Sequence, residues 1–141
     1  MTRAILTLNP VEVLTVAVIG FLLGWLWYSP LLFAKPWMKE MKITEEQMKA
    51  SAQKGMARFF ILAFLFTLLS TFGLAAFLNA HRPTWWGGGA LVGGFFGLCV
   101  VGARLLNSGV WEQRSGRLLA INVGHEVALF AVQGTILAVW R

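Results

Sequence analysis

The residues best suited to chemistry lie inside the last apolar run of the chain, LLAINVGHEVALFAVQGTILAVW, residues 118–140. This run contains Asn122, His125, Glu126 and Gln133. At about 100° per residue of an α-helix, Asn122 and Gln133 lie within roughly 40° of Glu126, whereas His125 points about 100° away. A carboxyl group surrounded by apolar groups has its charged form disfavoured, so Glu126 is a candidate group for binding a proton or a cation.

The depth of these groups in a membrane would require them to face protein. A hydrocarbon core about 30 Å thick needs roughly 20 helical residues, and Glu126 would lie about 12 Å from the start of the run, near the midplane. An ionisable residue at that depth must face other helices or a water-filled cavity. Arg104 either extends to water at the inner end of its own apolar run or reaches toward Asn122 and Glu126. The predicted binding site therefore consists of Glu126, Asn122, Gln133, His125 and Arg104.

The composition places the chain in a bilayer. Of 141 residues, 57% are hydrophobic and 13% are charged, and the mean hydropathy is +0.69, which is too apolar for a soluble domain of this size. The net charge of +6 comes from basic residues between apolar runs, not from basic patches interleaved with aromatics, so we expect lipid and not nucleic acid as the partner. The lone Cys99 excludes an intrachain disulfide and a cysteine metal cluster.

Four apolar runs predict an all-α membrane protein with four transmembrane helices in one domain, residues 1–141. The predicted spans are residues 10–28, 57–79, 85–106 and 118–140. Pro10 suits the first turn of a helix, and Pro30 ends the first span. A cleaved signal peptide is the alternative for that span, but it ends in Trp25, Trp27 and Tyr28 and lacks a small-residue cleavage site.

The segment between the first two spans predicts amphipathic structure. Residues 30–41, PLLFAKPWMKEM, suit a short helix lying in the membrane interface; a plain hydrophobic connector is the alternative. Thr44 and Gln47 have the spacing of a capping box, so a helix should begin at Thr44, either as a separate helix or running unbroken into the second span. Within that span, Thr67, Ser70 and Thr71 can bond to carbonyls of their own helix.

Glycines are spaced for close helix packing. Gly89, Gly93 and Gly97 recur every four residues on one face of the third span, and Gly20 and Gly24 have the same spacing in the first. The glycine face of the third span should pack either on Gly20 and Gly24 or on its own copy in a second chain. A phosphate-binding glycine loop is disfavoured because no strand precedes it and no GK[ST] follows. The polar residues 107–117 after this span predict a turn.

Basic residues are distributed unequally between the two predicted sides of the membrane. One side carries Lys35, Lys39, Lys42, Lys49, Lys54, Arg58, Arg104, Arg114 and Arg117, and the other carries Arg3, Arg82 and Arg141. Lys and Arg are enriched on the cytoplasmic side. We therefore predict a cytoplasmic segment at residues 30–56 and both termini outside, in an inner (cytoplasmic) membrane.

Several of these features resemble a known family. The run WYSPLLF at residues 27–33, followed by Lys35 and Trp37, the T-x-E of residues 44–46 and the last span with Asn122 are similar to the bacterial integral membrane family catalogued as domain of unknown function 1761. The resemblance implies a small four-helix membrane protein. It implies no activity and no catalytic residues.

Two hypotheses of function follow. In the first, the polar stripe formed by Asn122, Glu126 and Gln133 lines a pathway in a transporter or channel subunit for an ion or small molecule. Because four spans leave little room, a homo-oligomer is expected, joined through the glycine face. In the second, the stripe is internal hydrogen-bonding glue in a structural or partner-binding protein. An enzyme or haem protein is disfavoured, because no nucleophile is paired with His125, and His81 and His125 would lie in opposite halves of the bilayer. We expect no cofactor and no metal.

Overall fold

The structure, a computed structural model, describes residues 5–53, 55–81, 83 and 85–140, and within these ranges it contains helices and no strand. The helices are α1 Pro10–Trp27, α2 Ala34–Met41, α3 Glu45–Gln53, α4 Ala57–His81, α5 Trp86–Trp111 and α6 Gly116–Val139. By length and composition, α1, α4, α5 and α6 are suited to cross a membrane. The prediction of an all-helical chain with four long apolar helices is confirmed. These helices indicate a multi-pass membrane protein.

Local sequence accounts for the ends of α1. The Asn9 side chain accepts a hydrogen bond from the Val11 amide at 3.0 Å, and Pro10 occupies the first turn, where its missing N–H costs nothing. At the other end, the hydroxyl of Ser29 donates to the Leu26 carbonyl at 2.7 Å just before Pro30. The helix therefore ends at Trp27, and Tyr28 is the residue that directly follows it.

The segment between α1 and α4 forms two short helices. The Thr44 amide donates to Gln47 Oε1 at 2.9 Å, and the Gln47 amide donates to Thr44 Oγ1 at 3.2 Å, which confirms the predicted capping box at the start of α3. The alternative of one unbroken helix from Thr44 into the second span is wrong. α3 ends at Gln53, and Gly55 has a φ of +89°, which a continuous helix does not allow.

The helix α5 is longer than the third span predicted from sequence. It runs to Trp111, so the predicted turn at residues 107–117 begins too early. Ser108 Oγ donates to the Arg104 carbonyl at 2.7 Å, inside the helix. A Cβ added at Gly109 would lie 2.2 Å from Leu119 Cδ2, so this glycine is where α5 packs closely on α6. The tertiary contact preserves helix in a stretch whose residues alone favour a turn.

The four long helices alternate in direction. At one end of the bundle, which we call the terminal end, Asn79 Nδ2 donates to Thr7 Oγ1 at 3.0 Å. At the opposite end, the loop end, Ser115 Oγ donates to Glu40 Oε2 at 2.5 Å, which ties α2 to the turn before α6. Residues 28–53, 55–56 and 112–115 thus share the loop end.

The helix α6 lies at the centre of the bundle. It contacts α1, α2, α4 and α5, and its buried side chains include Leu129, Phe130 and Leu137, which pack with core residues of α1 and α4. Large apolar side chains such as Phe66 and Leu91 lie exposed on the outer faces, as expected where lipid is the neighbour. The polar residues of α6 are therefore the ones that the other helices must cover.

Candidate functional site

The glycine face of α5 packs on α6. A Cβ added at Gly93 would lie 1.9 Å from the Phe130 carbonyl oxygen, and one added at Gly89 would lie 2.1 Å from the Gly134 carbonyl oxygen. The prediction that this face meets Gly20 and Gly24, or its own copy in a second chain, is wrong because α6 already covers it. Gly134 of α6 lies opposite Gly89. It belongs to no glycine repeat, so the sequence pattern does not predict this contact.

The glycines of α1 also face α6. A Cβ added at Gly20 would lie 2.4 Å from Gln133 Nε2, and one added at Gly24 would lie 3.2 Å from His125 Nε2. A Cβ at Gly97 of α5 would lie 2.6 Å from the Glu126 carbonyl oxygen. Small residues on two neighbouring helices thus bring α1 and α5 close to the polar part of α6.

Gln133 is a buried link between α6 and α4. Its side chain is fully buried, and Nε2 donates to Thr71 Oγ1 at 2.7 Å. Thr71 in turn donates to the Thr67 carbonyl at 2.7 Å, and this bond within its own helix confirms the sequence expectation. Gln133 Oε1 has no partner among the described residues. Gln133 therefore belongs to the packed core and lies apart from Glu126.

His125 and Glu126 form a pair within α6. His125 Nδ1 lies 3.1 Å from Glu126 Oε1, and the two side chains are 12% and 22% exposed. The helical wheel predicted that they diverge; the structure corrects this, because the Cβ directions differ but both side chains are long enough to meet. With the proton on Nδ1, His125 donates to the carboxylate. Its Nε2 is buried opposite Gly24 and has no partner within the described ranges.

Two aromatic residues at the end of α1 complete this region. Tyr28 Oη donates to Asn122 Oδ1 at 3.0 Å, and its ring centroid lies 5.2 Å from that of His125. Trp27 Nε1 donates to the Ile121 carbonyl at 3.1 Å. Sequence reasoning misses both roles, since it uses Trp27 and Tyr28 only as an argument against a cleaved signal peptide. Their partners lie 94 positions away, a separation that no local pattern reports.

Arg104 does not join this group. Its side chain is exposed, and no ion pair connects it with Glu126 in the described part of the chain. The alternative in which Arg104 reaches toward Asn122 and Glu126 is therefore wrong. The structure brings together Asn122, His125 and Glu126, and it separates Gln133 and Arg104 from them.

An apolar cavity of about 500 Å³ lies beside His125, between α1, α2, α3, α4 and α6. Its wall is formed mostly by apolar side chains, among them Met38, Met48 and Met56, and by the small residues Gly20 and Gly24. No Asp, Glu, Lys or Arg of the described residues lines it; Tyr28 and His125 are its titratable groups. We call this space the apolar cavity.

A second space, of about 220 Å³, opens at the loop end between α2, α5 and α6. Its lining includes Ser108, Glu112, Arg114 and Asn122. Glu112 and Arg114 form an ion pair at 2.9 Å with side chains 54% and 42% exposed, so water reaches this space easily. We call it the polar vestibule. Trp37 lines both the vestibule and the apolar cavity.

Comparison with known proteins supports one assignment. Residues 11–138 match the family described as "Protein of unknown function (DUF1761)". The chain belongs to the DUF1761 family. The match includes every residue of the DUF1761 site just described, and the family's description gives it no activity. Curated proteins and solved structures gave no match.

Proposed function

We propose that this DUF1761 protein is a small membrane carrier that takes an amphipathic molecule with an apolar body into the apolar cavity. The observation behind this proposal is a cavity of about 500 Å³ with mostly apolar walls and one imidazole, His125, whose Nε2 is buried without a described partner. Ligand sites commonly have volumes of about 300–1,000 Å³, apolar walls and a few polar groups that fix orientation. In this role His125 contacts the polar group of the ligand, and Glu126 orients the imidazole.

The chemistry of the wall favours a carrier for such a molecule over an ion channel. Channels use rings of carbonyl or charged oxygen atoms to replace the hydration shell of an ion, and the described wall of the apolar cavity carries no carboxylate. The three methionines are flexible and polarisable, and they can adapt to ligands of different shape. Glu126 is absent from this wall and acts through His125.

The pairing within α6 supports a functional role for Glu126. Bonds that hold helices together must join different helices, as Gln133 and Thr71 do. His125 and Glu126 are neighbours on one helix, so their contact joins no two elements. A largely covered ionisable pair, with side chains 12% and 22% exposed, adds nothing to helix association and is costly in a membrane, and such groups are commonly functional.

Orientation and assembly are parts of the same proposal. The nine-to-three distribution of basic residues supports a loop end in the cytoplasm, both termini outside and an inner-membrane location; of these residues, Arg3, Lys54, Arg82 and Arg141 lie outside the described ranges. Residues of one chain line a space of about 500 Å³, so lack of room does not require a homo-oligomer. An oligomer remains a prediction, and it would have to form through the outer apolar faces.

A structural or partner-binding protein is the second candidate. Three bonds between elements favour it: Trp27 to Ile121, Tyr28 to Asn122 and Gln133 to Thr71. In this case most of the polar stripe serves helix packing, and residues 30–56 contact a partner or lipid headgroups.

Native mass spectrometry of protein extracted from membranes in mild detergent tests the carrier proposal. We expect the parent to retain an amphipathic molecule, and Ala63→Trp to reduce its occupancy at least tenfold, because Ala63 lines the apolar cavity and the indole would fill it. Leu62→Trp is the matched control, since Leu62 is the exposed neighbouring residue and is not part of the wall. Equal occupancy in Ala63→Trp and the parent, or a parent that retains no such molecule, would contradict the proposal.

A further inference from the structure

We propose that the polar vestibule is the path by which water and protons reach His125, and that Tyr28, Asn122 and Trp37 form the closed wall across that path. The inference rests on the proposed role of His125 as the polar contact of the carrier. Its test measures water access and does not depend on transport or on a ligand.

The wall is defined by one residue that lines both spaces and by a bonded pair with one member in each space. Trp37 lines the vestibule on one side and the apolar cavity on the other. Asn122 lines the vestibule, Tyr28 lines the apolar cavity, and a hydrogen bond of 3.0 Å joins them. The rings of Tyr28 and Trp37 meet edge to face, with centroids 5.7 Å apart. One hydrogen bond and one ring contact therefore join the three residues of the proposed wall.

The vestibule is the side from which water can arrive. Its mouth carries the exposed pair Glu112 and Arg114, and Ser108 adds a hydroxyl group. Water remains in cavities that offer it two or more polar partners, whereas apolar cavities stay dry. The apolar cavity offers mainly methionine, aromatic and aliphatic surface. The vestibule thus offers water four polar side chains, and one of them, Asn122, belongs to the wall.

The last step from Asn122 to the imidazole passes Tyr28. The Tyr28 ring lies between the Asn122 amide, which its hydroxyl contacts, and the His125 ring, 5.2 Å away between centroids. The titratable groups in contact with His125 are Glu126 on its own helix and Tyr28 at the end of α1; the described contacts of α2, α4 and α5 add none. When Tyr28 releases Asn122, water can enter, and a neutral Nε2 can take a proton from a hydronium ion, which leaves as water.

Chemical modification of His125 measures whether this wall excludes water. Diethyl pyrocarbonate carbethoxylates neutral imidazole and releases ethanol and carbon dioxide, and peptide mass spectrometry separates His125 from His81, the other histidine of the chain. His81 is exposed near the terminal end and serves as the internal reference. In intact protein held in lipid nanodiscs at pH 7, we expect His125 to react at least tenfold more slowly than His81.

Variants of the wall should increase the rate at His125. Tyr28→Phe keeps the ring and removes the bond to Asn122, and Trp37→Ala removes the shared ring. We expect each to raise the rate ratio of His125 to His81 at least fivefold. Trp111→Ala is the control, because Trp111 is exposed and lines neither space. Rates in both wall variants that equal the control would overturn the inference.

Blocking each space identifies the direction of entry. In a Cys99→Ala background, Ser108→Cys places a thiol in the vestibule and Met48→Cys places one in the apolar cavity. With Tyr28→Phe present, a bulky maleimide at position 108 should return the His125 rate to the parental value, and one at position 48 should leave it high. The reverse result would show entry through the apolar cavity and would sink the vestibule path. The carrier proposal fails separately, through the occupancy measurement with Ala63→Trp.

Discussion

Three polar side chains of α6 have different kinds of partner. Asn122 is bonded to Tyr28 after α1, Gln133 to Thr71 of α4, and Glu126 to His125 of the same helix. Interhelical hydrogen bonds in membranes contribute on average well under about 2 kcal/mol each, so the first two bonds position α6 more than they stabilise it. The third positions no helix. Among these residues, Glu126 is therefore the one whose change should separate function from folding.

At this scale we predict that Glu126→Gln leaves the fold intact and removes the pH dependence of transport. Gln keeps the shape and an oxygen that accepts from His125 Nδ1, so Tm in detergent should change by less than about 2 °C, in line with a substitution that leaves a bond in place. The neutral amide cannot exchange a proton. In proteoliposomes, movement of a fluorescent NBD-labelled alkyl phosphocholine between leaflets, read by dithionite quenching, should lose its pH dependence.

Glu126→Leu provides the comparison for stability. It removes the acceptor of His125 Nδ1 and should lower Tm more than Gln does, since a donor is left unsatisfied. If the Gln variant moves the probe with the same pH dependence as the parent, Glu126 has no role in transport, and the structural candidate gains support.

At the scale of elements, the contact between α5 and α6 determines where the site lies. Gly89, Gly93 and Gly97 let the two backbones approach within contact distance. This approach determines which part of α5 lies beside Glu126. The helix α5 also contains a π-helical turn, Gly97–Gly102, beside this residue. Such turns are rare, and they occur often at functional sites.

Neighbouring glycines of α5 give a matched pair of variants. A Cβ at Gly93 would collide with the Phe130 carbonyl, whereas one at Gly94 would lie 3.8 Å from Ala131 Cβ, in ordinary contact. We predict that Gly93→Ala destabilises the bundle by about 1–3 kcal/mol, because backbone atoms must move apart. Gly94→Ala should leave Tm unchanged or slightly raised. Thermal melts and size-exclusion profiles in detergent measure both, and equal behaviour of the two variants would contradict the contact.

At the scale of the whole molecule, the bundle has two chemically different ends. The loop end carries α2, α3 and the turn at residues 112–115, together with the polar vestibule. The terminal end carries the start of α1 and the end of α6, and the spaces at His125 are nearer the loop end than the terminal end. If the loop end is cytoplasmic, protons would reach His125 from the cytoplasm.

Thiol labelling tests this orientation. In a Cys99→Ala background, Lys49→Cys lies in α3 at the loop end and His81→Cys lies at the end of α4 near the terminal end. With a membrane-impermeant maleimide added to intact cells, we expect labelling at position 81 and protection at position 49 until the membrane is permeabilised. Labelling of position 49 from outside would reverse the proposed topology.

The sequence alone determined the four long helices, because a hydrocarbon-length apolar run has few alternatives in a membrane. It also determined the start of α3, because a capping box is a local bond between Thr44 and Gln47. The depth of Glu126 near the midplane is also predicted from its position in the last run, and it stays a prediction. These features depend on residues within a few positions of one another.

Only the tertiary structure decided which polar groups meet. Tyr28 and Asn122 lie far apart in the chain, and their bond depends on how α1 lies against α6. The partner of the α5 glycines was equally undetermined, because small residues permit close approach without specifying to what. The end of α5 depended on the packing of Gly109 against Leu119. In each case, contacts between helices decided what local preference and spacing left open.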